Sequence, residues 1–118
     1  MPPGWPADLP GIGRAEFDER VVGWLLDRGP ADLRTSPLRR VPLALAAYVW
    51  HHVDASVSGA RTAYSRARAD LGGLLEASAL AEVQQALEAE GARLLQVQRE
   101  VRLVAQALRD RADGRGPT

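Results

Sequence analysis

The chain has 118 residues and a mass of 12.7 kDa, the size of one domain. Its 15 basic and 15 acidic side chains cancel, so no overall charge points to a nucleic-acid or membrane-surface partner. It has no cysteine, which excludes disulfides, thiolate nucleophiles, Cys-ligated zinc and iron–sulfur clusters.

Residues 1–13 hold four prolines and three glycines and predict an extended N-terminal arm, with Trp5 apolar enough to dock on the body. A first helix is expected from Arg14 to Arg28. Phe17, Val21, Trp24 and Leu25 recur at helical spacing and so share one face, and Gly29-Pro30 stops it. Residues 31–40 form a connector, with one helical turn started by Ser36-Pro37. A second, long helix runs from Pro42 to Leu71 and ends at Gly72-Gly73. Ser78 is the expected N-cap of a third, which continues to Ala112, and residues 113–118 form a frayed tail. Residues 14–112 then make a single helical domain. The apolar run Val41–Trp50 is too short to span a bilayer, and the first residues lack the basic and apolar regions of a secretory signal, so a cytoplasmic protein is expected.

The two long helices carry matching heptad series. On the second lie Ala46, Trp50, Val53, Val57, Ala60, Tyr64, Ala67, Leu71 and, just beyond, Leu74. On the third lie Leu80, Val83, Leu87, Glu90, Leu94, Val97, Val101, Val104 and Leu108. In an antiparallel pair, facing positions have a constant sum, and here it is 154 throughout. Small then faces large, as Ala60 with Leu94 and Ala46 with Leu108, which lets the helices interdigitate without voids. The exception is Tyr64 against Glu90, where Gly91 leaves room for the ring and the hydroxyl can donate to the carboxylate. The fold class is therefore all-α: a long antiparallel two-helix coiled-coil hairpin, with a short N-terminal helix packed at its open end over Leu45, Tyr48 and His52.

Past that cover, the arm of the hairpin is bare, and a bare two-helix layer is readily completed by a second one. Leu95 and Leu103 point away from the seam toward such a surface. Charge is also segregated: residues 1–33 carry −3, 34–53 carry +3, 54–92 carry −3 and 93–118 carry +3. The hairpin brings the two positive segments together at the open end, where Asp18, Glu19, Asp27 and Asp32 of the first helix and its connector can neutralise them. The candidate interaction surface is thus Leu95, Leu103, Arg39, Arg40, Arg99, Arg102 and Arg109. Every basic residue is arginine and lysine is absent, the pattern of a GC-rich bacterial genome, so arginine here is no evidence of bidentate recognition.

His51 and Asp54 have the three-residue spacing of helical metal ligands, but His52 points elsewhere and no other helix supplies a histidine. No nucleophile–base set stands out among the serines and threonines, and Pro10-Gly11-Ile12-Gly13 lacks the strand and lysine of a phosphate loop. No cofactor, metal or catalytic residue is expected. The GWLLDRGP and HHVDA stretches resemble small helical bacterial proteins, a likeness that assigns no functional residue. The composite expectation is a non-catalytic interaction or assembly module, partnered by itself or another helical protein. The alternative is a nucleic-acid-associated protein that uses the arginine-rich open end, and a more distant one is a small helical enzyme or ligand binder.

Overall fold

The computed structural model describes residues 2–114. Among them every regular element is helical: α1 (Ala15–Leu26), two short 3-10 helices (Ala31–Thr35 and Pro37–Arg40), α2 (Pro42–Leu71) and α3 (Ala77–Ala112). Residues 115–118 of the expected tail lie outside the described residues. No described helix is long and apolar enough to cross a membrane.

The helix ends follow from local chemistry. Glu16 and Asp18 in the first turn of α1 complement its positive end. At its other end Arg28 Nη1 donates to the Trp24 carbonyl at 2.8 Å, satisfying one of the orphan acceptors of the last turn. Ser36 caps the second 3-10 helix, its Oγ accepting from the Leu38 amide at 3.1 Å. Pro42 begins α2, where its missing N–H costs nothing. At Gly72 a Cβ would collide with the Arg68 carbonyl oxygen, which is backbone and cannot turn aside, so the chain reverses at a glycine. The third helix starts at Ala77 with Glu76 in the N-cap position, two residues before the expected cap. Ser78 is thus already inside the first turn of the helix.

The 30 residues of α2 and the 36 of α3 form the predicted antiparallel hairpin. Its register holds: Asp54 bonds Gln98, Trp50 shares a groove with Ala105, and Val57 shares another with Leu95, all pairs whose positions sum close to 154. The molecule measures 55 × 31 × 21 Å, and its radius of gyration, 17.4 Å, exceeds the roughly 13.5 Å of a compact chain this long. It is a rod with a body at one end.

The body is where the core sits. Phe17, Val21 and Leu25 of α1 bury against Leu45, Val49 and Val53 of α2 and against Val101, Val104 and Leu108 of α3. Two details depart from the sequence reading. Tyr48 stays 45 % exposed while Val49 is fully buried, because α1 lies over the Leu45–Val49 side of α2. Trp50 is consequently only half-buried at the edge of the seam.

Residues 2–14 complete this core. The segment is irregular, yet Pro6, Leu9 and Ile12 are buried and Trp5 stacks at a tilt on Phe17, with centroids 6.2 Å apart. Asp8 fastens it. One carboxylate oxygen accepts from Trp24 Nε1 at 2.9 Å, the other from Arg28 Nη2 at 3.0 Å, and the Asp8 carbonyl accepts from Arg20 Nη2 at 2.9 Å. The Arg28 guanidinium lies 3.8 Å from the centre of the Trp24 ring, so one arginine closes the helix end, pairs with the arm and covers an indole face.

Candidate functional site

A two-helix layer has two sides, and α1 with the arm covers only one. On the open side, side chains spaced seven apart fall in line because seven residues make two helical turns. Leu43, Trp50, Val57, Tyr64 and Leu71 form such a line on α2; Glu88, Leu95, Arg102 and Arg109 form one on α3. Between these lines runs a furrow. Its distal half is an apolar groove of about 510 Å³, walled by Val57, Ala60 and Tyr64 on one helix and Leu87, Gly91 and Leu95 on the other, with Arg61 and Glu88 at its rims. Its proximal half is a smaller groove in which Trp50 lies beside Arg102, Gln106 and Arg109. A hydrogen bond from Gln98 Nε2 to Asp54 Oδ1, 2.9 Å long, bridges the helices between the two halves.

The opposite side carries a polar notch of about 320 Å³ where the end of α1 meets the arm of the hairpin. His52, Ser56 and Arg93 line it together with Asp27 and Arg28. His52 is half-buried there, beside the end of the first helix, whereas His51 is exposed. Among the described residues no three His, Asp or Glu side chains gather closely enough to hold a metal ion.

Glu90 also faces this notch, so it does not meet Tyr64, which is 45 % exposed on the furrow side. Glu90 accepts instead from Arg93 one turn along α3, through Nε at 3.1 Å and through Nη2. That bond holds the Glu90 carboxyl below its ordinary pKa and raises that of Arg93. A neighbour three residues away on the same helix competes better for a carboxylate than a phenol across the seam. Gly91 does line the groove beside Tyr64, as its lack of a side chain allows. Asp8 titrates below its ordinary range as well, chiefly because Trp24 donates to the ionised form and secondly through Arg28, with burial opposing.

The acidic residues near the open end neutralise part of its charge. Asp18 pairs with Arg111 at 2.9 Å and Asp27 with Arg34 at 2.7 Å. The candidate arginines are left out of the ion pairs found among the described residues. Arg39 and Arg40 project from the second 3-10 helix at the start of α2, Arg102 and Arg109 flank Trp50, and Arg99 donates only to Gln96 Oε1, at 2.9 Å. The two leucines part company. Leu95 lines the furrow, while Leu103 lies under the N-terminal arm, where a Cβ on Gly4 would stand 3.5 Å from its Cδ1. Trp50 and Tyr64, the aromatic members of the open face, are absent from the sequence-derived surface because their heptad positions assign them to the seam. Their size is the one available hint, since a two-helix seam has little room for a large ring.

Comparison with family models, with curated proteins and with solved structures finds no match to this chain.

Proposed function

We propose that the protein is a non-catalytic helical assembly module that associates with itself through the open face of its hairpin. The observation that carries this reading is the unfilled distal groove. Ala60, Leu87 and Leu95 are seam or near-seam residues left only half-buried on two regular helices, and no third element among the described residues covers them. A monomer gains only part of the burial that its heptads offer, and a further helical layer supplies the rest at about 25 cal/mol per Å² of apolar surface. Cytoplasmic residence fits this reading, since the assembly needs no membrane element or disulfide. Sedimentation velocity from submicromolar to several hundred micromolar tests it. Self-association is expected, and a strict monomer over that range overturns it.

A second reading, association with nucleic acid, is favoured by one observation: Trp50 between Arg102 and Arg109 offers a stacking ring beside cations. Titration with single-stranded and duplex nucleic acid at two salt concentrations tests it, because phosphate neutralisation demands binding that weakens steeply with salt.

A further inference from the structure

The open face carries a charge pattern that is complementary to itself in one orientation. In the hairpin register residues 54–100 form the arm and sum to −2; residues 2–53 cancel and 101–114 sum to +1, so the body is the positive end. Two copies laid tip to tip would bring like ends together. Two copies laid end over end would set each acidic arm on a basic body.

The stripe on α3 specifies the register. Glu88, Leu95 and Arg102 are equally spaced, all three on the furrow side, with the acid and the base exposed on either side of the leucine. We propose that a second copy of the chain docks on this face antiparallel to the first, about a two-fold axis through Leu95. The proposal rests on the self-association reading and names its face, direction and register.

Each consequence follows from the constant-sum rule for antiparallel helices. Leu95 meets the partner's Leu95, and Glu88 meets the partner's Arg102, twice by symmetry. The hairpin register carries the axis across to α2 midway between Val57 and Arg61. Trp50 then comes level with the partner's Arg68, a guanidinium within reach of an indole face. Leu43, 39 % exposed, comes level with the partner's hairpin turn. The proximal groove around Trp50 thus receives the partner's arm, and the empty distal groove receives the partner's body end. Neither groove includes a residue of α1 or the N-terminal arm, so the bodies stay on the outer sides of a four-helix layer. A face roughly 45 Å long and about 20 Å wide offers on the order of 900 Å² per copy, which meets the roughly 800 Å² of a stable standard interface.

Charge exchange tests this register. Glu88→Arg and Arg102→Glu each alter an exposed side chain, and sedimentation equilibrium is run on the full chain, the two variants and their equimolar mixture at low salt. The expected result is that each variant alone dissociates at least about tenfold more readily than the parent. The mixture is expected to restore a 1:1 heterodimer, because one copy then offers two arginines to two glutamates of the other. In the tip-to-tip arrangement the two positions never meet, so no rescue occurs. A dimeric parent whose variants stay dimeric, or whose mixture shows no rescue, overturns the end-over-end register and leaves self-association standing. A parent that is monomeric at every concentration overturns both.

Discussion

Truncating Leu9 to alanine is the sharpest test of how the body is built. Leu9 belongs to a proline- and glycine-rich segment without helix or strand, where side chains are usually dispensable. Yet it is only 4 % exposed and belongs to the same cluster as Phe17, Val21 and Val104. Removing a buried leucine side chain costs about 2–5 kcal/mol, the spread reflecting how far the site collapses. An irregular segment can relax more than a helix, which places Leu9→Ala near the lower end, about 2.5 kcal/mol. For a domain of this size that corresponds to a fall of roughly 10 °C in Tm. Leu74→Ala provides the control: the same atoms are removed from a side chain 79 % exposed at the hairpin turn, and the change should stay within about 0.5 kcal/mol. The assay is urea denaturation followed by circular dichroism at 222 nm. If Leu9→Ala is as silent as Leu74→Ala, residues 2–14 are not part of the cooperative unit, and the Asp8 fastening holds nothing in place.

Further outcomes follow from the same contacts. The Asp8 carboxyl titrates below its ordinary range in the folded chain, so the native state binds fewer protons than the unfolded one; its contribution is present above about pH 4 and lost as the pH falls through the folded value. Asp8→Asn should flatten the acid limb of a stability-versus-pH curve and cost no more than about 1 kcal/mol at pH 7, because the side chain is 61 % exposed and water screens its pairing with Arg28. Gly29→Ala places a Cβ 2.7 Å from the Leu33 Cδ1 and 3.3 Å from the Val49 Cγ2; the leucine can swing aside but the buried valine cannot, and denaturation should show a loss of about 1 kcal/mol. Tyr64→Ala should leave the melting of dilute protein nearly unchanged while weakening self-association, since its ring lies on the groove and not in the seam.

The architecture was legible because it is repetitive. A heptad series four turns or more long on each of two segments leaves one pairing direction and one register, and Gly72-Gly73 marks where the chain must reverse. Individual layers were less legible, for a reason visible at Val49 and Trp50. Heptad positions describe two isolated helices, whereas a third helix placed over one flank moves the centre of burial toward itself, drawing Val49 in and leaving Trp50 at the edge. The Glu90 layer failed differently: two side chains assigned to one level turned to opposite faces once Arg93, on the same helix, offered a closer partner. Asp8 carried no signal at all, since a lone aspartate in a turn-rich segment looks like an ordinary turn residue until Trp24 and Arg28 arrive from another part of the chain.

The same geometry separates the part of the rod that closes a core from the part that leaves its outer face open. At the body, α1 and the N-terminal segment convert half of the hairpin surface into a closed core, and the ion pairs of Arg111 with Asp18 and Arg34 with Asp27 lie around it. That enclosure can support the fold alone. The arm has only the contact of α2 with α3, and beyond Val57 its single fully buried seam residue on α2 is Ala67, the smallest side chain available. A helix pair joined by alanine in this way packs closely but buries little area, so its outer residues contribute most when another surface meets them. An arm that keeps its helices regular, its seam small and its outer face apolar has the properties that the proposed assembly requires, and in that proposal the charges along the face decide which surface it accepts.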